Sequence, residues 1–254
     1  MGNILATKLR QLNKKINLWY LNQRVALSDQ VRYLSSLPEP KDDFERSYFQ
    51  YKCQNRLLGS KRHLVVVLRN VAALPLLTLY LVKMIVFKSA QLKPESADAQ
   101  TKHIFFYEGK NLDIVPEALA TDIEVVKLGK KMFLDTIGKD IVISMIKKYP
   151  FSFYFNLKNL IKICNYGYYI CAKRPNNILS SCEYSFTSSI LTLYCEQSAV
   201  SHINIMHGEK LYDIRDAFCR FTKFYVWDEF YSHLFNKLRA DKSTYVIDLP
   251  PSMK

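Results

Sequence analysis

Three short apolar segments in the second half of the chain each end in polar or turn-forming residues. The first ends in His207, Gly208 and Glu209, the second leads into Asp228, and the third leads into Pro250. The carboxyl ends of parallel strands form the crevice in which open α/β sheets keep their sites. A histidine there can act as a general base near neutral pH, and a following glycine lets the backbone approach a ligand. The alternative is a structural histidine at a tight turn that requires glycine for its φ angle.

The loop that follows His207 concentrates charge. Lys210 and Arg215 could clamp a phosphate or carboxylate, because both side chains carry several positively charged donors. An acid of the same loop, of which Glu209 is the first, could orient the imidazole. The alternative is a solvated surface loop whose ion pairs contribute little.

Two further candidates lie where helices are predicted to begin. Ser185 follows a predicted strand, and a hydroxyl there either caps the next helix or leaves its amides available for an anion. Asp228 opens another predicted helix, where an acid is favourable for dipole reasons alone. Ser185 does not stand in a G-x-S-x-G sequence, so a serine hydrolase is not indicated. Neither H-x-x-x-H nor a His/Asp cluster suggests a catalytic metal.

The composition of the 254-residue chain excludes several classes of protein. It is 49% hydrophobic and 23% charged, which is typical of a globular protein. Only 7 glycines occur, and neither G-x-G-x-x-G nor a Walker A sequence is present. The 6 cysteines form no C-x-x-C pair, and the first long apolar run starts only at Leu64. We therefore expect no signal peptide, no zinc site and a reduced, cytoplasmic setting.

The net charge of +13 is concentrated in the first third of the chain. Residues 1–93 contain 16 Lys or Arg against 5 Asp or Glu, whereas residues 94–254 contain 20 against 18. Nucleic acid, an anionic membrane surface or simple solubility could each explain a basic arm. No familiar nucleic-acid motif accompanies the charge, so we do not expect nucleic acid as a partner. We favour peripheral contact with the inner face of a membrane.

Hydrophobic spacing predicts a mostly helical N-terminal region. Residues 4–37 read as a basic amphipathic helix, which either rests on a membrane interface or packs on its own domain. Residues 44–58 also read as a helix. The uncharged stretch from Asn70 to Val82 has 13 residues, fewer than the ~20 that span a bilayer. We expect a buried strand at Leu64–Leu68, followed by a core or interfacial helix.

The polar segment 89–101 predicts a boundary between two regions, 1–93 and 102–254. Beyond it, short apolar runs alternate with longer helical patterns. Strands separated by helical segments of about ten residues or more favour a parallel sheet. The predicted fold is therefore α/β: a Rossmann-like parallel sheet with helices on both faces, preceded by the basic helical region.

The same segments resemble a known family. Ile205-Met-His207-Gly208-Glu209-Lys210, Lys223-Phe-Tyr-Val-Trp-Asp228 and Tyr245-Val-Ile-Asp-Leu-Pro250 are similar to the middle of bacterial glycosyltransferases with the two-domain GT-B architecture. The likeness is greatest to the CDP-glycerol glycerophosphotransferase and polysialyltransferase-like group, which builds capsule, lipopolysaccharide or teichoic-acid polymers. It covers about residues 100–254. Leu249-Pro250 departs from the pattern, because that family has a glycine before the proline.

The resemblance implies a function. His207 would take a proton from the hydroxyl of a glycan or lipid-linked acceptor, which attacks a nucleotide-activated sugar or polyol phosphate. No metal or other cofactor is required by this mechanism. Such enzymes continue into a second nucleotide-binding domain beyond Pro250, so the resemblance also implies a second GT-B half as a partner. The alternative is a non-catalytic protein that binds a membrane or a partner through its basic region.

Overall fold

A computed structural model describes residues 25–86, 102–106, 112–127, 129, 131–241 and 245–253. The described part contains seven α-helices: α1 (Leu27–Ser36), α2 (Asp43–Arg56), α3 (Arg62–Val86), α4 (Thr136–Lys148), α5 (Phe153–Lys173), α6 (Ser188–Gln197) and α7 (Glu229–Lys237). It contains six strands: β1 (His103–Phe106), β2 (Ile123–Val126), β3 (Asn177–Ser180), β4 (Ser201–Ile205), β5 (Lys223–Val226) and β6 (Tyr245–Ile247).

The six strands form a single parallel sheet in the order β2-β1-β3-β4-β5-β6. This arrangement confirms the predicted Rossmann-like α/β class. The strand order reverses direction between β1 and β3, because the chain first moves to one side of β1 and then builds the sheet on the other side. In doubly wound sheets a crevice opens at such a reversal, outside the carboxyl ends of the strands.

The two faces of the sheet are covered differently. Successive residues of a strand point to opposite faces, and Ile104 and Ile178 pack with helices α4, α5 and α6 in one large core. Phe105 and Leu179 point to the other face, where they pack against Val115 and other residues of the β1–β2 connection. That connection contains two short 3₁₀ helices, Leu112–Ile114 and Glu117–Leu119.

The basic N-terminal region is helical where it is described. Of the amphipathic helix predicted for residues 4–37, only its last part, α1, lies in the described residues; 4–24 lie outside them, as does the predicted boundary at 89–101. Helix α2 begins after Asp42, whose carboxylate accepts a hydrogen bond from the Glu45 amide at 2.8 Å. Such a cap satisfies an otherwise unpaired amide of the first turn. Helix α2 packs against α6 and the 3₁₀ helix Ile214–Asp216.

The strand predicted at Leu64–Leu68 is wrong. These residues belong to the 25-residue helix α3, and Leu64 and Leu68 are exposed. A run of branched apolar residues fits a buried strand or an apolar helix equally well, and its length decides between them. The apolar character of α3 extends over seven turns, which is far longer than a strand.

Gly167 of α5 is a position where the fold requires the smallest side chain. A Cβ built there would lie 2.6 Å from the Phe133 carbonyl oxygen and 2.8 Å from the Tyr194 hydroxyl. The Phe133 amide donates to the Cys164 carbonyl at 2.9 Å, which holds this loop tightly against the helix.

We expect Gly167→Ala to lower the free energy of unfolding by roughly 1–3 kcal/mol, because the added methyl group overpacks the contact. In an uncrowded helix the same change would stabilise the protein by about 0.5–1 kcal/mol. Urea unfolding followed by circular dichroism measures the difference. Gly208→Ala is the matched control, since a Cβ at Gly208 meets nothing within 4 Å.

Candidate functional site

The candidate site is built around a buried carboxylate that follows β3. Glu183 has no exposed surface. Its carboxylate forms an ion pair with the Lys210 ammonium, and one oxygen lies 3.4 Å from Nδ1 of His207. The other oxygen accepts a hydrogen bond from the Asn204 side chain at 3.2 Å. The loops after β3 and β4 therefore meet at a single acid.

Asn204, on β4, fixes the position of that acid. Its side-chain oxygen accepts a hydrogen bond from the Cys182 amide at 2.9 Å, while its amide nitrogen donates to Glu183. Asn204 is itself fully buried. Because both hydrogen-bonding groups of this one side chain are used, the loop and the carboxylate are held in register with the end of β4.

Helix α2 closes the site from the N-terminal side with amide side chains. Nε2 of Gln50 donates to the carbonyl oxygens of Glu183 at 2.8 Å and Arg215 at 3.1 Å. One turn later, Nε2 of Gln54 donates to the carbonyl oxygen of Tyr184 at 2.6 Å. These bonds satisfy loop carbonyls that strand pairing leaves without partners, and they tie the loop after β3 to the segment around Arg215.

The environment keeps Glu183 charged. Burial alone would raise the pKa of its carboxyl group, but the positive charges of Lys210 and His207 lower that pKa below the usual range. An ionised carboxylate 3.4 Å from Nδ1 favours a proton on that nitrogen, which would leave Nε2 as the ring atom that can accept a proton. The His207 side chain retains 20% of its surface exposed. This arrangement is suited to a general base.

Asp216 is a second buried acid close enough to interact with the first. Burial raises the pKa of Asp216 to about 7, and the negative charge of Glu183 contributes to that rise. Arg215 opposes it, with Nε 3.5 Å from the Asp216 carboxylate. The site thus holds one acid that stays ionised and one that titrates near neutral pH.

The structure separates the residues predicted for this site into two groups. His207 and Lys210 lie together on Glu183, and Gly208 follows between them. Arg215 is half exposed, and its guanidinium lies 5.4 Å from the centre of the Tyr184 ring, which is itself 6.3 Å from the His207 ring. These residues share one edge of the sheet.

The remaining predicted residues have other surroundings. Glu209 is exposed, and the acid against His207 is Glu183. The Ser185 hydroxyl is 2.8 Å from that of Thr187. Asp228 caps α7 by accepting a hydrogen bond from the Tyr231 amide at 3.2 Å. Gly208 does not have a left-handed φ, so a turn that requires glycine is not the reason for it.

Glu183 and Asp216 are the functional candidates that sequence reasoning missed. Both stand in segments rich in polar residues, and nothing in their spacing distinguishes a buried acid from a solvated one. A partial signal existed for Glu183, because it stands two residues before Ser185, after the same predicted strand, and so belongs to the same edge of the sheet as His207.

His202, a buried histidine on β4, has a structural role. His202 lies within 2.8 Å of the Thr192 hydroxyl, 3.2 Å of the Tyr166 hydroxyl and 3.3 Å of the Ser180 hydroxyl. Burial lowers the pKa of His202 to about 3, so the ring is neutral. Among the described residues, no group of three or more His, Cys, Asp or Glu side chains is arranged to hold a metal ion.

Comparison with protein-family models, with curated proteins and with solved structures finds no match for this chain.

We expect Glu183→Gln to lower the free energy of unfolding by about 3–5 kcal/mol, because it leaves the Lys210 ammonium buried without its counter-ion. The double variant Glu183→Gln/Lys210→Met removes both charges and should recover much of this loss. Thermal and urea unfolding of the two variants measure the effect. Equal losses in both would show that the ion pair does not neutralise Lys210.

Asp216 predicts a pH dependence of stability. Its pKa is about 7 in the folded protein and about 4 in the unfolded chain. The folded state therefore binds more protons between these values, and the free energy of unfolding falls as the pH rises from about 4 to 7. Asp216→Asn should flatten this part of the profile. Glu209→Gln, which changes an exposed acid nearby, should leave it unchanged in urea titrations at several pH values.

Proposed function

We propose that this protein is a glycosyltransferase-like enzyme in which His207 acts as the general base. It would take the proton of an acceptor hydroxyl as that oxygen attacks a sugar or polyol phosphate carried by a nucleotide. The single observation that supports this proposal best is the contact of 3.4 Å between Nδ1 of His207 and the buried carboxylate of Glu183, at the carboxyl end of a parallel strand.

The pairing of His207 with Glu183 suits proton transfer. When the imidazole takes a proton it becomes a cation, and the adjacent ionised carboxylate stabilises that cation. Glu183 is a positioning residue in this scheme, because it acts through His207. Lys210 balances the charge of Glu183 before the proton arrives, and protonation of His207 then adds one positive charge beside the ionised Glu183.

The charge arrangement also bears on where a phosphate would bind. Lys210 is nearly buried and is engaged with Glu183, so it is poorly placed to clamp a donor phosphate as well. Arg215 is half exposed at the same edge of the sheet and can offer a planar set of donors to an oxyanion. We therefore assign the phosphate to Arg215. The Ser185 amide is already bonded to the Cys182 carbonyl at 2.8 Å, so it is not assigned a part in binding the phosphate.

The position of the site agrees with this use. Glu183 lies in the loop after β3, and β3 borders the reversal of strand order at β1. Ligands of doubly wound sheets bind at this reversal. A nucleotide-activated donor placed there would present a phosphate to Arg215. Its electrophilic atom, the anomeric carbon of a sugar or the phosphorus of a polyol phosphate, would face the acceptor hydroxyl at His207. The biological setting we propose is assembly of a surface polysaccharide such as capsule or lipopolysaccharide.

The test is release of free nucleotide from a panel of nucleotide-activated donors that includes CDP-glycerol, CMP-sialic acid and UDP-sugars, with and without short glycan acceptors. We expect acceptor-dependent release with at least one donor. His207→Ala should reduce the rate about 10²–10⁴-fold, the usual contribution of a general base. His233→Ala is the matched control, because His233 is exposed on α7, away from Glu183.

Two outcomes would contradict the proposal. One is full transfer activity in a folded His207→Ala variant. The other is the absence of nucleotide release with every donor, both for the chain alone and together with a GT-B nucleotide-binding half. The second outcome would favour a non-catalytic protein. Circular dichroism of each variant separates loss of chemistry from loss of fold.

A further inference from the structure

Helix α3 packs against the domain with one side only. Ala73 and Leu77 are buried, and the Asn70 side-chain oxygen accepts a hydrogen bond from the Tyr154 amide of α5 at 3.1 Å. The opposite side is exposed. We call it the apolar surface of α3, and it consists of Leu64, Val67, Leu68, Val71, Ala72, Leu74, Pro75, Leu76, Leu79 and Val82.

This surface is large and without charge along its length. Three residues spaced along it, Leu64, Val71 and Leu79, are 62%, 65% and 64% exposed. At ~100° per residue its members cover about half of the helix circumference. The polar residue within it, Thr78, donates its hydroxyl to the Leu74 carbonyl at 3.0 Å and so presents mainly its methyl group. Contiguous exposed apolar surfaces of this kind mark sites of interaction.

The basic residues at the two ends of the surface indicate an anionic partner. The described residues 52–86 contain six Lys or Arg and no Asp or Glu. At the N-terminal end of α3, the side chains of Arg56, Arg62 and His63 line a hollow together with Ser60 and Asp29. Lys83 stands at the other end. An apolar strip between two basic ends is complementary to acyl chains beneath anionic phosphate headgroups.

We propose that the apolar surface of α3 docks the protein on an anionic lipid bilayer, with the helix lying in the plane of the interface. The hollow at Arg56 and Arg62 would receive a lipid phosphate, while the leucines and valines enter the acyl boundary. This surface is independent of His207 and of the proposed transfer reaction.

The packing of α3 favours an in-plane position over a crossing. By length and composition alone the segment Gly59–Lys83 could cross a membrane, because 25 residues of helix extend about 37 Å. However, the contact of Asn70 with α5 and the position of the Arg69 guanidinium 5.5 Å from the centre of the Tyr154 ring tie the helix to the domain. A crossing would require these contacts to separate, whereas docking uses the face that is already exposed.

Sedimentation with lipid vesicles tests the proposal on the full chain. We expect binding to vesicles that contain anionic phosphatidylglycerol and weaker binding to pure phosphatidylcholine. The double variant Val71→Glu/Leu79→Glu should weaken binding about tenfold or more, because each change places a charge where apolar burial stabilises the complex. Phe230→Glu is the matched control, since Phe230 is 62% exposed on α7 and lies outside the surface.

The outcomes separate the possible occupants. Undiminished vesicle binding by Val71→Glu/Leu79→Glu would overturn the proposal. If removal of residues 1–24 then abolished vesicle binding, the membrane contact would be assigned to those residues instead. Absence of vesicle binding together with a dimer that the same variant dissociates would assign the surface to a second copy of the chain. A His207→Ala variant should bind vesicles normally, so failure of the transferase proposal leaves this one intact.

The depth of the helix distinguishes docking from crossing. Single tryptophans introduced at Leu64, Val71 and Leu79 in a W19F/W227F background can be quenched by lipids brominated at defined positions along the acyl chain. An in-plane helix gives similar quenching at all three sites by bromines near the headgroup. Strongest quenching of the Val71→Trp variant by bromines at the chain ends would show a crossing helix instead.

Discussion

The arrangement at the carboxyl edge of the sheet depends on one buried negative charge. A carboxylate without exposure to water is stable only when ion pairs and hydrogen bonds replace its hydration. Lys210, His207 and Asn204 supply these interactions to Glu183, and each comes from β4 or the loop after it. These contacts fix the loop after β3 to β4. They also hold the His207 ring in position, because it is one of the groups that contact the Glu183 carboxylate.

The N-terminal region completes this site. Gln50 and Gln54 lie on one side of α2, and their amides satisfy carbonyl groups of two loops that are otherwise far apart in sequence. The charged residues of the site therefore come from the α/β domain, whereas the amide side chains that pack over its loops come from α2. Helix α2 is therefore bonded to the backbone of the residue that carries the buried acid and to the backbone of Arg215.

Two helices of the basic region have different surroundings. Helix α2 presents both aromatic and polar side chains inward to the α/β domain, whereas α3 presents leucine and valine outward. A short loop and 3₁₀ helix separate them. If α3 lies on a membrane, α2 connects the lipid surface to the site at Glu183.

The α/β class, the strands of the second half and the location of His207 at a strand end follow from local hydrophobic periodicity, so they could be predicted from the residues alone. The same reasoning located Lys210 and Arg215 at that edge. It did not distinguish an apolar helix from a strand at 64–68, since both patterns are rich in valine and leucine. The contact of the imidazole with Glu183, and not with Glu209, could not be predicted in this way. Burial of a charge depends on neighbours distant in sequence, and no local pattern records them.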